Sequence, residues 1–158
     1  MLPFKTILFA TDFSAASNVA FSVASALARD YRARIVAVHV IEPVKAGFAE
    51  FTSYIGPEED KDKAREMLHA LKAPGANAAI EYRLVEGDPA DVIAVLAKDI
   101  GADLIVLGTH GRSGFTRLVM GSVAEEVLRH APCPVLTVRG SAPIKEEERV
   151  DAPEAVAI

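Results

Sequence analysis

The stretch ADLIVLGTHGRSGFTRLVMGSVAEEVLRHA, residues 102–131, joins three different kinds of sequence. ADLIVLG (102–108) is the most apolar of the strand-like runs and reads as an interior strand covered on both faces. SVAEEVLRHA has the spacing of an amphipathic helix. Between them, the stretch from Gly108 to Val123 holds four of the chain's ten glycines and two arginines, Arg112 and Arg117. A plain strand-to-helix connection needs only about two to six residues. A longer, glycine-bearing loop between a buried strand and a helix start is a place built to hold something.

Outward from this stretch the chain alternates strand and helix. KTILFAT (5–11) and ARIVAVHVI (33–41) read as buried strands, and a helix from Ser14 lies between them with Ala20, Val23, Ala24, Leu27, Ala28 and Tyr31 inward. Residues 42–56 read as a loop, and 58–72 as a charged amphipathic helix burying Ala64, Met67, Leu68 and Leu71 before Pro74-Gly75 breaks it. AAIEYRLVEG (78–87) alternates, as a half-exposed strand near a sheet edge does. Asp88 reads as the N-cap of the next helix and Pro89 as its first residue, with Val92, Ile93, Leu96 and Ile100 inward and Gly101 at its end. PVLTVR (134–139) is the last strand. Five strands separated by helices imply an α/β fold, an open parallel sheet with helices on both faces. Ligands of such sheets sit beyond the carboxyl ends of the strands, where strand order reverses.

At 158 residues the chain reads as one domain, residues 1–139, followed by a mobile acidic tail, 140–158. Of the formal net charge of −5, the tail accounts for −3, since Lys145 and Arg149 stand against Glu146, Glu147, Glu148, Asp151 and Glu154. The loop 109–117 has two arginines and no acid. A net-acidic chain with one basic loop argues against a nucleic-acid surface and for a local anion site. No apolar run reaches the ~18 residues of a membrane helix and no cleavage-like segment follows the N-terminus, so a soluble, cytoplasmic protein with no membrane partner is expected. Cys133, the single cysteine, reads as a small buried hydrophobe between two prolines.

Neither common phosphate loop fits. No lysine lies between Lys98 and Lys145, as a Walker A loop would need, and the glycines follow the fourth strand three apart rather than the first strand two apart. A different cradle fits the chemistry. Gly108 and Gly111 let the backbone approach a ligand closely, and Gly121-Ser122 opens a helix whose unpaired amides and serine hydroxyl face the same space. A helix dipole supplies about 0.3–2 kcal/mol, whereas micromolar affinity needs about 8, so several amides, hydroxyls and Arg112 must act together. Each feature also has a plainer account. Gly108 ends a strand, Ser122 caps a helix, and the arginines are solvated; only their coincidence favours an anion site.

Gly108-x2-Gly111-x9-Gly121-Ser122 matches, without a gap, the glycine signature of ATP-binding universal stress proteins, and ILFATDFS, HVIE, LIVLGTHGRSG and GSVAEEVLRHAPCPVLTVR resemble that family's strands one, two, four and five with their flanks. The resemblance covers roughly residues 3–139. It implies a sheet of order 3-2-1-4-5, a homodimer paired through the last strand, Pro134 to Val138, and ATP in the crevice between strands one and four, with magnesium held mainly by the phosphates. It places Asp12, beside Ala10 and Thr11, at the adenosine end, Val40 against the adenine, and Leu107 and Gly108 at the ribose. Gly111, Arg112, Gly121, Ser122 and Val123 match the phosphate-cradling stretch. Asp12 has a second reading, as a cap of the helix near Ser14. The sequence departs from the family at Ala10, where some members have proline, at Leu107, where some have methionine, and at Ala124, which lacks a hydroxyl that others supply.

His110 has no evident acid to orient it, and no activated nucleophile is apparent, so hydrolysis is expected to be slow or absent. His39 reads as a core or cleft residue, and His69 and His130 as helix-surface residues, with no metal-ligand spacing among them. The resemblance implies a cytoplasmic stress-response module whose nucleotide occupancy sets its interaction with an unknown protein partner. The alternatives are a nucleotide-independent interaction protein of the same fold and a weak ATPase or phosphoryl-transfer enzyme.

Overall fold

The computed structural model describes residues 4–43, 57–73, 79–109 and 120–140. They form β1 (Thr6–Ala10), α1 (Ala15–Tyr31), β2 (Arg34–Ile41), α2 (Pro57–His69), β3 (Ile80–Glu86), α3 (Pro89–Asp99), β4 (Leu104–Gly108), α4 (Ser122–His130) and β5 (Val135–Val138). All sheet pairings are parallel, in the order β3-β2-β1-β4-β5. The described elements are those that the periodicity indicates, trimmed by one to three residues at most ends. Pro74-Gly75 and residues 141–158 lie outside the described residues, as does most of the expected loop 42–56.

Period-two alternation divides the core in two. Ile7 and Phe9 of β1 and Ile35 and Ala37 of β2 face α1 and Leu68 of α2. Leu8, Ala10, Val36, Val38, Ile105 and Leu107 face the other way, onto Ala90, Ile93 and Ala97 of α3 and Ala124 and Val127 of α4. Strands buried on both faces need apolar residues at both parities, which is why β1 and β4 read as continuous apolar runs. The two edge strands, β3 and β5, have no fully buried residue. β4 lies inside the sheet, although its centre is β1.

Local chemistry sets the helix ends. Ser14 caps α1 by accepting from the Ser17 amide, and Asp88 caps α3 by accepting from the amides of Ala90 and Asp91. Gly101, at φ +60, takes the left-handed position that closes α3.

Two expected inward positions are corrected, Met67, which is 38% exposed, and Tyr31, which is 41% exposed. Leu71, just beyond the end of α2, is partly buried against the core. The buried stripe of α1 is Ala16, Ser17, Ala20, Phe21, Ala24, Ser25 and Ala28, with Leu27 partly buried against the same core, so the inward face is turned toward Ala16, Ser17, Phe21 and Ser25 and away from Tyr31. The cause is close approach. A Cβ at Gly108 would lie 3.0 Å from backbone atoms of Ala16 and Ser17, and one at Gly140 would lie 3.0 Å from the Ala16 Cα. Two glycines seat the first turn of α1, and the small residues of that turn become the buried face.

Asp103 performs a job the sequence reading did not foresee. Its Oδ2 accepts from the amides of Lys5 (2.8 Å) and Thr6 (2.9 Å), closing the entry to β1. Those two hydrogen bonds hold its carboxyl below the usual carboxylate range.

Candidate functional site

In the order β3-β2-β1-β4-β5 the chain steps outward from β1 through β2 to β3, then returns to lay β4 on the other side of β1. The carboxyl ends of β1 and β4 are therefore a switch point, with neighbouring crossovers leaving in opposite directions. A cleft of ≈ 660 Å³ opens there. That is within the range of small-molecule sites, about 300–1,000 Å³.

Nine of the eleven candidate residues line this one cleft. Ala10, Thr11 and Asp12 come from the end of β1, Val40 from β2, Leu107 and Gly108 from β4, and Gly121, Ser122 and Val123 from the start of α4. Gly111 and Arg112 lie outside the described residues, as do His110 and Arg117. His39, read as a core or cleft residue, lines the cleft, and the walls not foreseen include Phe13, Ser17, Glu42, Thr109, Pro89, Ile93 and, from α2, Lys63, Ala64 and Met67. Met67 is thus a cleft residue rather than a core one. The charged groups among the described lining residues are Asp12, Glu42 and Lys63.

The start of α4 is the distinctive part. Its N-cap is Gly121, at φ −60 and ψ 148, and no side chain of the described residues caps it. Ser122 is the first helical residue, so it is not the cap that its type suggests. The Gly121 amide donates to the Thr109 carbonyl (2.7 Å), and the Glu125 amide makes the first intrahelical bond, to Gly121 (3.0 Å). The amides of Ser122, Val123 and Ala124 thus have no intrahelical acceptor, and all three residues line the cleft. Thr109 also donates its amide to Val138 of β5 (2.9 Å). The two flanks of residues 110–119 are thereby pinned to each other and to the sheet.

The β1–α1 turn forms the facing wall. Thr11 extends the pairing of β1 by donating its amide to Val38 (2.9 Å). Its hydroxyl accepts from the Phe13 amide (3.0 Å) and lies 3.1 Å from the Ser17 hydroxyl. Asp12 Oδ1 accepts from the Ser14 amide (2.9 Å) while its side chain borders the cleft. The reading of Asp12 as the helix cap is corrected: its carboxylate orders the approach to α1, but Ser14 is the cap. Phe13 has φ +62, a left-handed conformation uncommon for a large side chain. Its ring packs on the imidazole of His39, with centroids 4.4 Å apart. His39 Nδ1 lies 2.8 Å from the Thr11 carbonyl oxygen.

The remaining singled-out residues lie elsewhere. His69 is exposed and packs on Tyr82, and His130 is exposed at the end of α4, 3.1 Å from the Glu126 carbonyl. Cys133 is half-buried; desolvation, then the charge of Asp103, pushes its thiol up, away from the reactive thiolate. Among the described residues, no three His, Cys, Asp or Glu side chains converge as metal ligands, and no helix is long and apolar enough to cross a membrane.

Comparison with known proteins bears on this fold and cleft. Residues 3–139 match the family model described as the universal stress protein family. A putative universal stress protein of Staphylococcus epidermidis is 37% identical over 143 residues, which are 88% of this chain and 86% of that one. The universal stress protein UspA from Lactobacillus plantarum superposes with a TM-score of 0.66 at 27% identity, covering 88% of this chain and all of that one. A universal stress protein in complex with cAMP superposes with a TM-score of 0.68, also at 27% identity, over 89% of this chain and 100% of that one.

Proposed function

Because the chain belongs to the universal stress protein family, we propose that it binds an adenine nucleotide, ATP with magnesium, in the cleft at the carboxyl ends of β1 and β4. Asp12, with Ala10 and Thr11, borders the adenosine, Val40 the adenine, and Leu107 and Gly108 the ribose. Gly111, Arg112, Gly121, Ser122 and Val123 hold the phosphates, which carry the magnesium. The observation that carries this reading is the open start of α4, where three amides without intrahelical acceptors line a cleft of ligand size. A relative of the same fold solved with cAMP supports an adenine ligand. The size of the cleft and the two arginines of residues 110–119 favour a ligand with several phosphates.

The protein acts as a stress-response module in the cytoplasm. Two copies pair antiparallel through the outer edge of β5, Pro134 to Val138, which among the described residues pairs only with β4. Occupancy of the cleft sets the affinity for a protein partner. The described cleft has no evident activated nucleophile, so turnover of bound ATP is slow or absent.

The test is thermal unfolding of nucleotide-free protein with ATP, AMP, cAMP or GTP, each with magnesium. A ligand at 100 times its Kd adds about 2.7 kcal/mol, which raises Tm by roughly 5–10 °C at this size. The largest shift is expected with ATP. A larger shift with cAMP would move the ligand to a single phosphate. Absence of any shift, with no nucleotide bound in equilibrium dialysis, would make the cleft an architectural remnant and the protein a nucleotide-independent interaction module.

A further inference from the structure

The turn that bears Asp12 contains a contradiction that its own residues do not resolve. Phe13 occupies the left-handed region at φ +62, which strains a large side chain and persists only where the surroundings over-determine it. Two local hydrogen bonds help, Phe13 amide to the Thr11 hydroxyl and Ser14 amide to Asp12 Oδ1. Both lie inside the turn and move with it. Beyond the strand pairing of Thr11 with Val38, other elements reach the turn through the Ser17 hydroxyl of α1, beside that of Thr11, and through His39 of β2, which meets both Thr11 and Phe13.

His39 holds the turn in two ways at once. The Thr11 carbonyl only accepts, so Nδ1 of His39 carries the hydrogen and donates to it at 2.8 Å. The same imidazole packs against the Phe13 ring. The residues before and after Asp12 are thus both held by one side chain, which itself borders the cleft.

We propose that His39 is a positioning residue for the ligand site: through the Thr11 carbonyl and the Phe13 ring it fixes the direction of the Asp12 carboxylate. The inference rests on the reading of the cleft as a nucleotide site and adds to it a residue that acts through Asp12.

The experiment is a double-mutant cycle on ATP affinity. In His39→Leu the tether is lost, and ATP binding weakens about tenfold. In the Asp12→Asn background the same substitution changes affinity by less than about twofold, because the group being positioned has lost its charge. Two amide variants keep the test sharp if His39→Leu folds poorly. The Asn amide nitrogen occupies the place of Nδ1 and the Gln nitrogen that of Nε2, so His39→Asn, which keeps the hydrogen bond but not the ring contact, should bind ATP between the parent and His39→Gln, and His39→Gln like His39→Leu. Equal losses in the parent and Asp12→Asn backgrounds would overturn the proposal, as would His39→Asn binding as poorly as His39→Gln with unchanged Tm. Failure of the parent protein itself to bind ATP would overturn the nucleotide reading and this inference together, a result distinct from either.

Discussion

α3 and α4 begin on the same side of the sheet, pack against the same half of the core, and both reach the cleft, α3 through Pro89 and Ile93 and α4 through residues 121–124. Their first turns are built in opposite ways. Asp88 fills the start of α3 with its own carboxylate, accepting from two amides, and Pro89 removes one donor altogether. At α4 the cap is Gly121, no described side chain reaches the amides, and the cap residue is the smallest there is. With glycine rather than a side-chain acceptor at its cap, α4 forgoes about a few tenths of a kcal/mol relative to an Asp cap. One helix start capped by its own carboxylate and a neighbour without a described side-chain cap over a cleft fit the proposal that the neighbour's amides serve an external acceptor. This contrast makes the nucleotide reading more than a resemblance.

The sharpest way to break the contrast is to give α4 the cap of α3. In Gly121→Asp the new carboxylate takes the place proposed for phosphate, and the backbone there, extended at φ −60, suits an Asp cap. ATP affinity is expected to fall about 100-fold, since the amides are occupied and a like charge faces the phosphates. The nucleotide-free protein should gain a few tenths of a kcal/mol, because Asp caps better than Gly. Isothermal titration and urea unfolding read the two effects, and their opposite signs are the point. If the variant bound ATP as the parent does, α4 would not be the cradle.

Gly108 separates architecture from binding on the β4 side. A Cβ there meets the α1 backbone at 3.0 Å, with no flexible side chain to give way. Gly108→Ala should destabilise the protein by about 1–3 kcal/mol in urea. Its ATP affinity, measured on the folded fraction, should drop less than that of Gly121→Asp. The converse substitution on the closed helix, Asp88→Ala, should cost about 1 kcal/mol of stability and leave ATP affinity unchanged. A loss of affinity there would mean that the two helix starts are coupled, and the contrast would weaken.

The contrast was half-legible in the sequence. Asp88-Pro89 and the apolar period after it state a capped helix outright, because caps are local chemistry. Gly121-Ser122 is ambiguous by the same local rules, since serine is the better cap by type; the tie of Gly121 to Thr109, twelve positions upstream, decides it. The strands were readable because burial on two faces demands apolar residues at both parities. Their order was not, since periodicity is silent on which strands are neighbours; it came from the resemblance. The misread face of α1 has the same origin, because Gly108 and Gly140, more than 90 residues downstream, decide how close that helix lies to the sheet. The cleft's β1, β4 and α4 walls lay in motifs, whereas the contact of Phe13 with His39 and the α2 wall exist only once the sheet has assembled.

Asp103 offers the mildest test, on a carboxylate that closes amides far from the cleft. Its two backbone hydrogen bonds lower its folded pKa, so the stability it confers is complete above the unfolded value, near about 3.9, and is lost as pH falls through the lower folded value. Asp103→Asn removes the charge and keeps one acceptor oxygen. With the group largely solvent-screened, the cost at neutral pH should stay below about 1 kcal/mol. The difference from the parent should shrink steadily in urea titrations run below the unfolded value, because the parent carboxyl then protonates too. A difference that persisted undiminished in acid would assign the role of Asp103 to shape rather than charge. Asp88, Asp103 and the carboxylate installed by Gly121→Asp would then no longer form one series of charges that close backbone amides.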